Sequence, residues 1–249
     1  MRYQVSISDD AQELAGQCKK WLVDTIIAHQ AMTDQPFTLA LAGGSTPRLL
    51  YHLLAEGAAI DGIDWKRVIL IWGDERNVPS DHPDSNFRMV HDVLLGAGII
   101  PESQILSVPN PAGDARQVAR EYEQLLQQRL KASEGSFAQI DCVLLGLGED
   151  VHTASLFPET EALQERQRWV VANYVPKLGD WRITLTVPLI NAAHHIAFLV
   201  AGSSKNCALQ HLWEGPRDGN RFPAQLIDPT AGWIQIFVDR DALGSLTPP

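Results

Sequence analysis

Unbroken apolar runs of strand length, separated by segments with helical spacing, constrain this chain more than any other feature. The runs are FTLALA (37–42), RVILIW (67–72), DCVLLG (141–146), HIAFLVAG (195–202) and WIQIFV (233–238). Strands that read this way are buried on both faces, and such strands belong to parallel sheets crossed by helices. RYQVSI (2–7), QILSV (104–108), RWVVANY (168–174) and RITLTV (182–187) are read as further strands. Apolar residues at three-to-four spacing predict a helix after a cap at Asp9 or Asp10, carrying Leu14, Cys18, Leu22 and Ile26. Further helices are expected over RLLYHLL, near 85–95, over 114–130 and over 203–213. The expectation is an α/β fold with one doubly wound, mostly parallel sheet flanked by helices, Rossmann-like, in a single domain of residues 1–249. No repeat, low-complexity segment or linker divides it.

In open parallel sheets a ligand sits beyond the carboxyl ends of the strands, so the residues after each strand matter most. GGSTP (43–47) joins a strand to a helix. Gly43 and Gly44 allow close backbone approach, Ser45 or Thr46 can cap the helix, and its first N–H groups attract phosphate. GDER follows 67–72, where Arg76 suits a forked contact to phosphate and Asp74 can orient a hydroxyl or a catalytic group. GLGEDVH follows 141–146, where His152 has the chemistry of a general base and Asp150 can hold its ring. SSK follows 195–202 and places Lys205 at a helix start, where an anionic partner would offset the helix dipole. Arg182, opening RITLTV, is a second candidate for a phosphate contact. Each loop alone also fits an ordinary solvated turn. All four are expected at one edge of the sheet.

Several classes are disfavoured. The net charge of −10, from 20 Lys plus Arg against 30 Asp plus Glu, opposes general nucleic-acid binding. A few converging cations can still bind a small anion, because screening confines the global field to about 8 Å. GLGEDVH lacks the third glycine of a dinucleotide fingerprint, and no GK[ST] follows GGSTP, so neither NAD nor a Walker-type site is expected. The remaining histidines, including His194–His195, read as structural, and no metal-ligand spacing appears. Three cysteines without CxxC, a polar N-terminus and apolar runs far below about 20 residues point to a cytoplasmic protein without a membrane partner.

Together, LALAGGSTPRLLYHLL, IWGDERNVPSDHPDSNFRM, DCVLLGLGEDVHTASLFP and RITLTVPLINAAHHIAFLVAGSSK resemble the glucosamine-6-phosphate isomerase/6-phosphogluconolactonase family, on its lactonase branch. The four segments occur in the family's order over residues 39–205. The resemblance implies a glucosamine-6-phosphate-deaminase-like fold. It also implies hydrolysis of 6-phospho-D-glucono-1,5-lactone to 6-phosphogluconate in the oxidative pentose phosphate pathway, with no cofactor. It matches His152 to the catalytic histidine and the glycine-rich loop, Arg76 and Lys205 to phosphate-binding elements, with Arg182 a further candidate. Asp150 and Asp74 are both left as supports for the imidazolium. The implied partner is a small sugar-phosphate lactone, with neither nucleic acid nor membrane, and the chain is expected as a monomer or weak homo-oligomer.

One departure stands out. The family reads Asp-Gly-His where this chain has Asp150-Val151-His152. A glycine there implies positive φ or close approach to a ligand, and a β-branched residue at positive φ is strained. Either the backbone accepts valine, or the loop distorts and His152 is displaced. Two other readings follow from the wider superfamily. A deaminase has a proton-transferring glutamate where this chain has Phe157. Related sugar-phosphate sensors carry a DNA-binding segment, and the 36 residues before FTLALA show no basic recognition helix. This leaves as the alternative a non-catalytic sugar-phosphate-binding protein without its own DNA-binding domain, its site disabled by Val151.

Overall fold

A computed structural model describes residues 3–133 and 135–248. Arg2, expected in the first strand, lies outside the described residues. The chain opens with β1 (Tyr3–Ser8) and α1 (Ala11–Met32), which Asp10 caps by accepting from the Glu13 N–H. Next come β2 (Phe37–Leu41), α2 (Ser45–Gly57) and β3 (Val68–Trp72). They are followed by β4 (Asp74–Arg76), α3 (Asn86–Val93), β5 (Ile105–Leu106) and α4 (Ala115–Arg129). The second half holds β6 (Cys142–Gly146), β7 (Val170–Val175), β8 (Asp180–Leu185) and α5 (Val187–Asn191). It ends with β9 (His195–Val200), α6 (Asn206–Trp213), β10 (Trp233–Asp239) and α7 (Arg240–Leu243).

Seven strands form an all-parallel sheet in the order β1-β10-β9-β6-β2-β3-β5. The strands after β2 run outward to β5, and β6 then returns to the other side of β2. The order therefore reverses between β2 and β6, which opens a crevice beyond their carboxyl ends. GGSTP and GLGEDVH leave the sheet on either side of that crevice. Two buried tyrosines fix the neighbouring strand ends. The Tyr51 hydroxyl exchanges bonds of 2.9 Å with the Ala42 N–H and C=O. The Tyr122 hydroxyl does the same for Trp72, at 2.7 and 3.1 Å. Backbone groups at the ends of the ladder are thus paired without water, and the loops that follow start from rigid points.

The expectation of one sheet is corrected. The segments 168–174 and 182–187, read as strands of the main sheet, form β7 and β8 of a separate antiparallel sheet of order β4-β8-β7. Four residues join β7 to β8, too few for a parallel crossover, and Gly179 turns the chain at φ +63°. The third strand is β4, the segment read as a polar loop. It leaves β3 through Gly73, whose N–H bonds Leu41 O and whose C=O accepts from Leu185 N.

Alternation along β4 separates its charges. Asp74 and Arg76 face the crevice, while Glu75, only 1% exposed, points the other way. Glu75 accepts from the Arg76, Asn86 and Phe87 N–H groups at 2.7–2.8 Å and from Ser85 Oγ at 3.3 Å. Burial pushes its carboxyl above the usual range, against these N–H donors. The same contacts pin the start of α3 beneath β4.

Candidate active site

All ten residues singled out from the sequence line one cavity of about 490 Å³ in that crevice: Gly43, Gly44, Ser45, Thr46, Asp74, Arg76, Asp150, His152, Arg182 and Lys205. The four loops therefore converge as their positions after strands predicted.

The glycine-rich loop differs from expectation at its cap. Gly44, not Ser45 or Thr46, is the N-cap of α2, at φ +105° and with no side-chain hydrogen bond. Only glycine adopts that φ readily, so Ser45 and Thr46 shift into the first turn. Their N–H groups have no partner within the helix, and Pro47 has none to offer. An uncapped helix start facing a cavity is suited to an anion. Gly43 serves packing instead. A Cβ there would lie 2.0 Å from Asn86 Oδ1, and Asn86 Nδ2 reaches Asp74 O at 2.9 Å and Asp74 Oδ1 at 3.3 Å.

The two aspartates occupy different places. Asp150 Oδ1 lies 2.5 Å from His152 Nδ1, and its Oδ2 pairs with Lys177 Nζ at 2.9 Å. The His152 hydrogen bond, helped by the Lys177 ammonium and opposed by partial burial, holds the Asp150 carboxyl well below the usual carboxylate range. Asp74 accepts instead from Ser155 Oγ at 2.6 Å, besides Asn86. Asp150 is therefore the support of the imidazole, and Asp74 belongs to the cavity wall.

His152 is held on three sides. Asp150 takes Nδ1, the Phe157 ring stacks on it at 4.0 Å and 21°, and Gly148 leaves room that any Cβ would close to 2.0 Å from Nδ1. An ionised Asp150 beside Nδ1 favours the tautomer that carries its proton there and leaves Nε2 as the acceptor.

Val151 adopts φ +64°. The loop keeps the glycine-like backbone and accepts the strain, with Val151 N–H bonded to Gly148 O at 3.0 Å and Val151 O accepting from Ala224 N–H at 2.9 Å. Its side chain is 2% exposed and packs in the core. Ala154 and Glu159 also have positive φ, so three of the four such non-glycine residues among those described fall in this segment. Left-handed backbone costs about 1–2 kcal/mol here, and valine burial returns about 1.5 kcal/mol. Val151→Gly is expected to leave turnover equal or higher and to change stability by no more than about 1 kcal/mol. Turnover together with a denaturation midpoint checks this. A large loss of turnover would make the valine a functional part of the loop.

The cations are unequally committed. Arg182 pairs with Asp180 at 2.6 Å and bonds Trp181 O, while among the described residues the Arg76 guanidinium reaches only the Asp84 carbonyl, at 2.5 Å. Lys205 ends the single turn Ser203–Lys205 before α6 and has no ion-pair partner among the described residues. Lys177, Asn86, Ser155 and Phe157 were not found from the sequence as working parts of the site. Lys177 and Asn86 come from other segments and Ser155 reaches across to Asp74, contacts for which local spacing carries no signal; Phe157 lies five residues after His152 in the same loop.

Comparison with known proteins shows the family to which the chain belongs. The 6-phosphogluconolactonase of Synechocystis sp. is 42% identical over 211 residues, 85% of each chain. That of Nostoc sp. is 42% identical over 207 residues, 83% of this chain and 82% of the relative. The solved 6-phosphogluconolactonase of Trypanosoma brucei superposes with a TM-score of 0.88 at 28% identity, covering 99% of both chains. Among the described residues no helix is long and apolar enough to cross a membrane. Residues 9–236 match the family described as glucosamine-6-phosphate isomerases/6-phosphogluconolactonase, and the chain belongs to that family.

Proposed function

We infer that this chain, acting as a single domain, hydrolyses 6-phospho-D-glucono-1,5-lactone to 6-phosphogluconate in the oxidative pentose phosphate pathway, with His152 as general base. The observation that carries the reading is the Asp150–His152 pair in one cavity with an uncapped helix start and the cations Arg76 and Lys205. His152 Nε2 takes a proton from water as its oxygen attacks the lactone C1 carbonyl. It then delivers that proton to the ring oxygen as the C1–O bond breaks. The acid so formed ionises to the carboxylate. Asp150 stabilises the imidazolium between the two transfers. A lactone is an activated ester, so no protein nucleophile is needed. A deaminase would need a proton-transferring group where Phe157 stands, and phenylalanine has none.

The phosphate belongs at the start of α2, with Arg76 and Lys205, and its binding energy orients the lactone. Arg182, already paired with Asp180, is the weaker contact. Three free cysteines, two of them buried, fit a reducing cytoplasm.

The test compares the phosphorylated lactone with unphosphorylated gluconolactone. The phosphorylated substrate is expected to have the higher kcat/KM by about 100-fold. Arg76→Ala and Lys205→Ala should each raise its KM by about 10-fold, the value of one charge-assisted hydrogen bond, with little change in kcat. Unchanged KM in both variants would remove these residues from the phosphate site, and equal kcat/KM for the two lactones would contradict the substrate.

A further inference from the structure

Asp150 can hold His152 only if it is itself held. Its Oδ1 faces the ring at 2.5 Å and, weakly, the His152 N–H at 3.4 Å. Its Oδ2 has one side-chain partner, Lys177, at 2.9 Å. Lys177 comes from a different part of the fold. It sits in the turn between β7 and β8, in the antiparallel sheet, whereas Asp150 lies in the loop after β6 of the parallel sheet. The ion pair therefore links the two sheets at the cavity.

We propose that Lys177 is a positioning residue, which fixes the Asp150 carboxylate so that one oxygen stays on His152 Nδ1 and the lone pair on Nε2 stays aimed at the lactone. Without it the carboxylate is free to rotate about its Cβ–Cγ bond and to turn toward water. Phe157 would still cover the ring face, but nothing would hold the ring about its own axis. The Lys177 side chain is 68% exposed, and exposed pairs are weak, so the contribution is a modest one. Arg182 cannot take its place, because its guanidinium is committed to Asp180. The inference rests on the lactonase reading for its kinetic consequence and not for its structural one.

Two measurements test it separately. In the substrate-free protein, the His152 Nδ1–H should give a downfield proton resonance, as expected for a short bond to a carboxylate. Lys177→Met should broaden or abolish that signal, and Lys177→Arg should restore it. In the lactone assay, Lys177→Met should lower kcat about three- to tenfold with KM within twofold of wild type, and Lys177→Arg should recover most of the loss. A raised KM with kcat and the resonance unchanged would make Lys177 a substrate contact and overturn the proposal. An unchanged resonance with unchanged kinetics would overturn it as well. A resonance that responds to Lys177 in a protein without lactonase activity would keep the positioning role and refute the lactonase reading alone.

Discussion

Replacing His152 by alanine is expected to lower kcat by about 10²–10⁴-fold, the usual contribution of a well-placed acid–base group. In the proposed mechanism the imidazole carries both proton transfers. Asp150 lies 2.5 Å from its Nδ1 and Phe157 stacks on its face at 4.0 Å. In its absence Asp74 is badly placed to substitute, because its carboxylate is engaged by Ser155 and Asn86. Residual catalysis should come from phosphate binding and from the intrinsic reactivity of the lactone. KM should change little, since the proposed phosphate contacts lie elsewhere in the cavity. The ring lies on the cavity wall and not in the core, so the denaturation midpoint should stay close to wild type. Steady-state kinetics and a denaturation curve on the same preparation check both halves. Turnover near wild type in folded protein would remove His152 from the mechanism.

Gly148→Ala is expected to cost about 100-fold in kcat without unfolding the protein. The added methyl would lie 2.0 Å from His152 Nδ1 and 2.2 Å from Cε1, where about 3.4 Å is ordinary contact. Gly148 is not among the positive-φ glycines, so its backbone accepts alanine without strain. The three nearest atoms it would meet all belong to the His152 ring. The imidazole must move by more than about 1 Å, which takes it off Asp150 and out of line with the substrate, and misplacement on that scale costs about 10². Gly16→Ala in α1 is the control, because a methyl there meets nothing within 4 Å. If Gly148→Ala turns over like wild type, the three-sided hold on His152 is not what sets the rate.

The sequence was most legible where the physics is local. Strands buried on both faces announce themselves as apolar runs, and in an open parallel sheet the loops after them are where ligands bind. That is why GGSTP, GDER, GLGEDVH and SSK could be placed at one edge before any geometry was known. Asp10 as the cap of α1 was legible for the same reason. Partnership between strands was not. RWVVANY (168–174) and RITLTV (182–187) read as strands of the main sheet, because an apolar run does not say which neighbour it pairs with. The seven residues between the two runs, too few for a parallel crossover, were the available signal for a hairpin. Glu75 looked like a loop charge because its helix-start partners lie ten or more residues away in Ser85–Phe87. Gly44 as the cap of α2 depends on a φ of +105°, which glycine permits and does not require. The strain at Val151 was foreseeable only through likeness to a family with glycine there, and the backbone keeps the glycine conformation at φ +64°.

The most direct test generates 6-phosphogluconolactone in situ from glucose 6-phosphate with a dehydrogenase and follows its disappearance against the spontaneous rate. Wild-type protein should accelerate the loss clearly, and His152→Ala, shown to be folded, should bring the rate back near background. No acceleration by folded wild-type protein, or an acceleration that survives His152→Ala intact, would contradict the account.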